Sequence, residues 1–410
     1  MHYKNLLFAA FLALFINVSF AQSKLKPGIW RGALKTSSDN QLPFNFEVKD
    51  IAGKQQLIII NGTERFKVTD VRQKGDSVFI HMPLFNSEFK LKYEGFGLNG
   101  KWIKHLGDKD ATMDFAAEPG KAWRFFNTAE KPAFNVTGRW STIFGEGEKK
   151  DTTVGEFKQV GSKLTGTFLT TTGDYRYLEG TVAGNKLYLS TFDGGHAFIF
   201  TADIKDDKTL TDGKYYSGYS GLDKWTAMRN EKAKLPDAYS LTYLKPGYKK
   251  IAFTFPDING KKVSLSDARF KNKVVIVQIL GSWCPNCMDE TAYMINYYKK
   301  FHARGVEVIG LAYERTTDFA KSKPTLQQLK TRFNIQYPLL ITGYTPGKGD
   351  PQKSLPMLAD FKGFPTTIII DKKGDVSKIH TGFSGPGTGT HYTEFVNEFE
   401  KLTNDLLAEK

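Results

Sequence analysis

The two cysteines of this chain, Cys284 and Cys287, lie three positions apart between a strand pattern and a helix pattern. A largely apolar run at 273–280 precedes them, as in a strand that is buried on both faces of a sheet. Pro285 and apolar side chains at helical spacing follow. The pair therefore marks the point where a buried strand passes into a helix, which restricts this part of the chain to an α/β fold.

The alternation of strand and helix patterns continues to the C-terminus, so we expect residues 248–410 to form one α/β domain. A hairpin signal precedes the buried strand, with Asp-Ile-Asn-Gly at 257–260. The remaining elements are predicted as strand 306–313, helix 325–333, strands 366–370 and 376–381, and helix 392–407.

The predicted position of Cys284, at the N-cap of a helix, favours redox chemistry over a structural disulfide. Free N–H groups and the positive end of the helix dipole stabilise a thiolate there and lower its pKa. Cys284 would attack a partner disulfide, and Cys287, one helical turn further on and more buried, would resolve the mixed disulfide. Pro285 suits the first helical turn, where its missing N–H costs nothing.

A Cys-x-x-Cys pair can also be half of a metal site. Zinc would require two further soft ligands, and the seven histidines show no paired spacing. We therefore expect neither a metal nor another cofactor.

A longer motif joins the cysteines to two other signals. It comprises Trp-Cys-Pro-Asn-Cys at 283–287, Glu290 three residues later, and Gly-Phe-Pro-Thr-Thr at 363–367 before a strand. On these residues, 248–408 resemble the thioredoxin superfamily, and within it the exported TlpA-like (ResA-like) thiol–disulfide oxidoreductases. The resemblance covers about 40% of the chain and implies a thioredoxin fold with redox activity for that part alone.

The resemblance also implies roles for individual residues. Pro365 matches the family's cis-proline, which faces the cysteine pair and offers its neighbouring backbone to a substrate chain. Glu290 matches the active-site glutamate, a proton acceptor for Cys287. We expect Trp283 to shield one side of the pair and Phe364 to line the substrate groove.

Gln278 is a departure from thioredoxin itself, which has a buried aspartate at this position. The missing carboxylate would shift proton transfer towards Glu290 or water. We expect Gln278, like Pro285, to support the active site without reacting.

The region before the α/β domain predicts β structure in two related units. Short alternating runs are separated by Gly, Asn and Asp, which is typical of antiparallel barrels or sandwiches. Gly-Ile-Trp at 28–30 is matched by Gly-Arg-Trp at 138–140, and 98–102 corresponds to 211–215. We predict β units at 22–127 and 133–232 and a linker at 233–247. The alternative is one continuous β domain with coincidental Gly-x-Trp pairs.

The first 21 residues predict a signal peptide, because a lysine precedes a short apolar run and small residues end at Ala21. An uncleaved membrane anchor is the alternative. The formal net charge is +14, but basic residues are scattered among acids, so we interpret them as solvated surface and expect no nucleic acid partner. The predicted location is outside the cytoplasm, in the periplasm.

These patterns predict an enzyme that exchanges electrons with protein disulfides or dithiols, with reduction as the favoured direction. It would draw on an electron donor in the membrane or the exported compartment. The same residues would serve a disulfide oxidase or isomerase. A thiol peroxidase is disfavoured, because Val277 and Gly281 stand where peroxiredoxins have proline and threonine. The non-enzymatic alternative is a binding protein built on the β units, with an accessory redox domain.

Overall fold

The computed structural model of the chain describes residues 24–106, 109–347 and 349–409. The predicted signal peptide at 1–21 lies outside the described residues. Within those three ranges, no helix combines the length and the apolar character needed to cross a membrane.

The first β unit is an antiparallel sheet of nine strands among the described residues. The strands are β1 (Gly28–Lys35), β2 (Gln41–Ile51), β3 (Lys54–Asn61), β4 (Glu64–Val68), β5 (Asp70–Lys74), β6 (Ser77–His81), β7 (Ser87–Glu94), β8 (Gly97–His105) and β9 (Asp110–Pro119). Their spatial order is β4-β3-β2-β1-β9-β8-β7-β6-β5. Burial alternates along β3 and β9, so one face of the sheet packs inward.

The second β unit is closed into a barrel. Its strands are β10 (Gly138–Phe144), β11 (Asp151–Val160), β12 (Lys163–Thr170), β13 (Gly173–Asp174), β14 (Leu178–Ala183), β15 (Lys186–Phe192), β16 (Ala197–Asp206), β17 (Thr209–Ser217) and β18 (Gly221–Arg229). Their order is β11-β10-β18-β17-β16-β15-β14-β12-β13, and a further pairing of β11 with β12 closes the ring.

The two β units have corresponding strand orders. The sequence β2-β1-β9-β8-β7-β6-β5 in the first matches β11-β10-β18-β17-β16-β15-β14 in the second. Each Gly-x-Trp lies in the first strand of its unit, and each indole N–H donates to the carbonyl four residues earlier. Trp30 donates to Lys26 at 2.8 Å and Trp140 to Val136 at 3.0 Å. The predicted all-β region is confirmed, and it consists of two separate sheets.

The β units pack against each other through a shared apolar contact. Phe192 from β15 stacks on Phe44 of the first unit, with ring centroids 4.4 Å apart, and contacts Phe89 and Trp102. Arg124 is 5% exposed and donates hydrogen bonds to backbone carbonyls of both units. The two units therefore share buried residues along their interface.

The α/β domain is built on a five-stranded mixed sheet among the described residues, in the order β24-β23-β22-β26-β27. Its elements are β19 (Tyr243–Leu244), β20 (Thr254–Pro256), β21 (Lys262–Ser264), β22 (Val274–Leu280), α1 (Pro285–Phe301), β23 (Val306–Ala312), α2 (Phe319–Phe333), β24 (Leu339–Ile341), α3 (Asp350–Ser354), β25 (Leu358–Ala359), β26 (Thr366–Ile370), β27 (Val376–Thr381) and α4 (Thr390–Ala408). β22 is parallel to β23 and antiparallel to β26. All residues of β22 are buried, as the apolar run predicted, and all residues of β23 are buried as well. The predicted thioredoxin fold is confirmed.

Helix α2 begins earlier than the predicted start at residue 325. The Asp318 carboxylate accepts the N–H groups of Ala320 at 2.7 Å and Lys321 at 3.2 Å, which caps the helix. Pro324 lies inside the helix, and prolines usually mark a helix boundary. The sequence pattern therefore predicted only the part of the helix after this proline.

The segment predicted as a linker follows the surface of the α/β domain. Within it, β19 pairs with β25, and the Ala238 carbonyl accepts the N–H of Thr381 at 3.0 Å. The Thr381 hydroxyl donates to that of Thr242 at 2.9 Å. The domain boundaries at 233 and 247 stay a prediction.

Candidate active site

The cysteine pair lies at the N-terminus of α1, directly after the buried strand β22. Cys284 is the N-cap residue, and its sulfur accepts the N–H of Cys287 at 3.2 Å. The two cysteines form a disulfide with their Cα atoms 5.2 Å apart. Cys287 is fully buried and Cys284 is 4% exposed, so the pair is covered by other parts of the chain.

A buried carboxylate lies one turn beyond the pair. Glu290 accepts hydrogen bonds from the Gln278 amide at 2.7 Å and from the Thr367 hydroxyl at 2.6 Å. Burial raises the pKa of Glu290 to about 7, against the lowering effect of the two hydrogen bonds. Gln278 also approaches Thr291 at 3.2 Å and the Cys287 carbonyl at 3.5 Å. The structure thus brings Gln278, Glu290 and Cys287 into one cluster.

Thr367 is a member of this cluster that the sequence analysis did not single out. It lies two residues after Pro365, and the alternation of β26 carries its side chain to the Glu290 side of the sheet. The Thr-Thr sequence after the proline was the available signal.

Pro365, Phe364 and Trp283 lie together, and Trp283 directly precedes Cys284 in the chain. The Phe364–Pro365 peptide bond is cis. The rings of Trp283 and Phe364 meet edge to face with centroids 5.3 Å apart, and the Trp283 indole donates to the Tyr313 carbonyl at 2.8 Å. These contacts fix the two aromatic side chains, which are half-buried, against each other at the residue before Cys284.

Glu314, which sequence analysis also missed, anchors the loop that precedes Cys284. Its carboxylate accepts the N–H of Ser282 at 2.8 Å, the Ser282 hydroxyl at 2.6 Å and the Thr325 hydroxyl at 3.2 Å. Burial raises the pKa of Glu314. The residue follows β23, parallel to β22, so both strands end at the same edge of the sheet. That topology is the signal that could have identified it.

A loop of the second β unit covers the candidate site. We define residues 171–176 as the cap loop. A Cβ at Gly173 would overlap the side-chain amide of Asn286, the second residue between the cysteines. Thr172 packs against Gly363, where an added Cβ would lie 2.7 Å from its methyl group. The cap loop is thus wedged between the start of α1 and the segment that leads to the cis-proline.

The cap loop is held by a buried arginine that contacts all three parts of the chain. Arg176 makes a bidentate contact with Asp289 of α1, at 2.8 and 2.9 Å. It also contacts Glu64 of the first β unit at 2.8 Å and Asp193 of the second at 3.2 Å. Its side chain is only 13% exposed. The cap loop is therefore fixed by charge pairs that little water can screen.

Asp174 adds a second contact between the cap loop and the α/β domain. Its carboxylate accepts the N–H of Gly385 at 2.8 Å and that of Arg176 at 2.5 Å. Burial and the neighbouring charge of Asp289 raise the pKa of Asp174 to about 7. The glycine-rich turn around Gly385 is therefore packed against the β region.

The structure places no group of three or more His, Cys, Asp or Glu side chains in a metal-binding arrangement among the residues it describes.

Comparison with known proteins finds relatives of the α/β domain. Residues 245–394 match the Redoxin family model. Thiol-disulfide oxidoreductase ResA of Bacillus subtilis is 30% identical over 130 residues, which cover 32% of this chain and 64% of that protein. ResA of Geobacillus kaustophilus is 28% identical over 130 residues and is matched over 66% of its length. The chain thus spans slightly less than two thirds of these relatives, and the resemblance predicted for 248–408 is confirmed.

Solved structures are similar over 38% of the chain. The thioredoxin domain of a thiol-disulfide oxidoreductase from Bacteroides vulgatus is 26% identical and is covered completely, with 38% of this chain and a TM-score of 0.28. A putative thiol:disulfide interchange protein DsbE from Chlorobium tepidum is 22% identical over 38% of this chain and 98% of its own, with a TM-score of 0.29.

Proposed function

We propose that this protein is an exported thiol–disulfide oxidoreductase that reduces disulfides of other proteins through Cys284 and Cys287. The observation that carries the proposal is the position of the pair, bonded to each other at the N-terminus of α1. The Redoxin match and the relatives named thiol-disulfide oxidoreductases support the same chemistry.

The cysteines act in two steps. In the reduced protein the helix N-terminus stabilises the Cys284 thiolate, which attacks one sulfur of the client disulfide and expels the other as a thiolate. Cys287 then attacks the Cys284 sulfur and releases the second client sulfur. Two electrons pass to the client, and the protein returns to the disulfide state described above.

Glu290 accepts the proton of Cys287 in the second step. A carboxyl with a pKa of about 7 exists in both protonation states near neutral pH, as a proton acceptor that must be regenerated requires. Gln278 and Thr367 hold the carboxylate in place through their hydrogen bonds.

Trp283, Phe364 and Pro365 supply the surface that a client contacts. The aromatic pair lies beside the cysteines and is half-buried, so part of it is open to a client chain. The cap loop occupies the space at Asn286 and Gly363. The β region therefore covers the redox pair and limits which clients reach it.

Export to the periplasm is supported by the signal-peptide pattern at 1–21. A reductase in that compartment needs a supply of electrons, so we include a donor in the membrane or among exported proteins as its second partner.

The reduction potential of the cysteine pair tests the direction. Purified protein is equilibrated in dithiol buffers and its free thiols are counted by mass. A value near about −270 mV or lower is expected for a reductase. A value near about −120 mV would identify a disulfide oxidase with the same residues.

Trapping tests the chemistry itself and the alternative of a binding protein. Cys287→Ser should accumulate mixed disulfides with clients in the exported fraction, because the resolving step is blocked. Cys284→Ser should accumulate none. If Cys287→Ser traps nothing while the Cys284→Ser protein keeps full biological activity, the β units carry the function and the redox domain is accessory.

A further inference from the structure

A cleft lies between the first β unit and the α/β domain, beside the tryptophan that precedes Cys284. Its walls include Leu84, Phe85, Lys104, Trp283, Glu314 and Arg315. We call this space the Trp283 cleft. The proposed redox steps use neither Lys104 nor Arg315.

Three cations line this cleft, Lys104, Arg315 and Lys321, and the charges of the first two act on each other. The Arg315 guanidinium lies 5.2 Å over the Trp283 ring and makes no hydrogen bond or ion pair within the part of the chain that the structure describes. Lys104 is partly buried, and its ammonium donates to the carbonyl of Gly195. Burial and the charge of Arg315 lower the pKa of Lys104 to about 8. Like charges held together in a partly desolvated space are relieved when an anion binds between them.

The nearby carboxylates are occupied elsewhere. Glu314 lines the cleft and its charge acts on Arg315, but its carboxylate oxygens accept three hydrogen bonds from Ser282 and Thr325. Asp193 raises the pKa of Lys104, but it is engaged by Arg176 and His196. The cleft therefore presents Lys104 and Arg315 beside the apolar surface of Phe85 and Trp283, with Lys321 also on its wall.

The cap loop determines the side from which a substrate approaches. It fills the space at Asn286 and Gly363, on the cis-proline side of the cysteine pair. Trp283 is half-buried and lines the Trp283 cleft. It is also the residue directly before Cys284 in the chain. No cap-loop residue lines the Trp283 cleft, whereas Ser282 and Trp283, directly before Cys284, do, so this cleft offers a substrate a space that the cap loop does not fill.

We infer that the Trp283 cleft binds a carboxylate of the disulfide substrate, held by Arg315 and Lys104, while the substrate's sulfur reaches Cys284. The inference rests on the proposed function and adds a substrate class to it, namely disulfides with a carboxylate a few bonds from the sulfur. An acidic residue beside a client cysteine and a small acidic disulfide share this chemistry.

The reaction balances without another reactant. The Cys284 thiolate forms a bond with one substrate sulfur as the substrate S–S bond breaks, and the first acidic thiol leaves. Cys287 loses its proton, bonds to the Cys284 sulfur and releases the second acidic thiol. One dithiol protein and one disulfide give one disulfide protein and two thiols.

Two small disulfides of similar length provide the test. The reduced full-length protein is mixed with 3,3′-dithiodipropionate, which carries two carboxylates, or with the neutral bis(2-hydroxyethyl) disulfide. The second-order rate constant of protein oxidation is measured for each. We expect the wild type to favour the acidic disulfide by about fivefold, from one charge contact in a partly solvated cleft. The preference should collapse in about 1 M salt.

Substitutions assign the preference to the cleft. Arg315→Gln removes the exposed guanidinium, and Lys104→Met removes the second cation. Each should lower the ratio of the two rate constants towards one. Lys101→Met is the matched control. It removes the same charge from the same strand as Lys104→Met, but Lys101 pairs with Asp114 at the surface. Its ratio should equal that of the wild type.

The outcomes separate this inference from the proposed function. A wild-type ratio of one or less, or a ratio that Arg315→Gln and Lys104→Met leave unchanged, overturns the cleft assignment. Failure to react with the neutral disulfide as well would overturn the redox function itself. Disulfide-linked peptides with Asp or Asn beside the cysteine then identify the source of the carboxylate. A preference for Asp points to protein clients, and a preference confined to dithiodipropionate points to small acidic disulfides.

Discussion

Replacing Arg176 with methionine should open the cap loop and expose Cys284. Arg176 joins the loop to Asp289 of α1 and also contacts Glu64 and Asp193, all within 3.2 Å. Methionine keeps much of the aliphatic volume but removes the charge that these three carboxylates share. The buried carboxylates would then repel one another across the interface between the loop and the α/β domain.

The size of the effect follows from burial. Removing one partner of a buried charge pair costs about 3–5 kcal/mol, since the remaining charge loses its compensation. Arg176 is 13% exposed and its three partners are at most 13% exposed, so the lower end of that range applies. If about 3 kcal/mol is lost from the closed state of the cap loop, the open fraction rises by about a hundredfold.

Alkylation of the reduced protein measures this opening. A maleimide linked to a polymer is too bulky for the Trp283 cleft and reports only on exposed cysteines, and mass spectrometry identifies the site. The rate at Cys284 should rise by about a hundredfold in Arg176→Met. Arg124→Met is the matched control, because Arg124 is a buried arginine between the β units that pairs with Glu179 at 3.3 Å.

Arg124→Met should lower the melting temperature without raising the alkylation rate. If Arg176→Met lowers the melting temperature and leaves the alkylation rate at the wild-type value, the cap loop is not what covers Cys284. Equal acceleration in both variants would show that general destabilisation exposes the cysteine.

Three further changes test other parts of the site. The folded protein holds the Glu290 proton between pH 4.5 and about 7, where the unfolded chain has lost it, so stability falls as the pH rises through this window. Urea unfolding across that range should show that the free energy of unfolding falls less steeply with pH in Glu290→Gln than in the wild type. The difference in slope should correspond to one proton. Glu314→Gln should lower stability by about 1–3 kcal/mol in the same assay, because an amide has a single oxygen to accept from Ser282. Gly173→Ala should speed alkylation of Cys284, because the added methyl group overlaps Asn286 and pushes the cap loop away. Gly161→Ala is the control and should leave the rate unchanged, because Gly161 is also left-handed but has open space around it.

The candidate site could be predicted where its signals are local in sequence. The apolar run of β22, the cysteine spacing and Pro285 all lie within about fifteen residues, and together they identify a strand that passes into a helix. Pro365 was predicted through the resemblance, and the structure places it beside the aromatic pair. Local pattern and family resemblance were therefore sufficient for the centre of the site.

The cover of the site could not be predicted, because it depends on contacts between distant parts of the chain. Arg176 and Asp289 are 113 positions apart, and Arg176 and Glu64 are 112 apart. Lysines and arginines were interpreted as solvated surface, yet Arg124 is buried and the Arg176 side chain is only 13% exposed. A scattered charge pattern carries no information about which cation meets a carboxylate after the domains pack together.

The cap loop and the cysteines it covers belong to one polypeptide. A client that needs the space beside the cysteines therefore competes with a covalently tethered segment. A tethered segment faces its target at an effective concentration of about millimolar, whatever the concentration of the protein. Dilution cannot release such a cover, and a client present at about a thousandth of that level must bind about a thousandfold more tightly than the loop to displace it. Clients that bypass the loop avoid this competition, so in the proposed function the covalent tether itself selects which disulfides react with the cysteine pair.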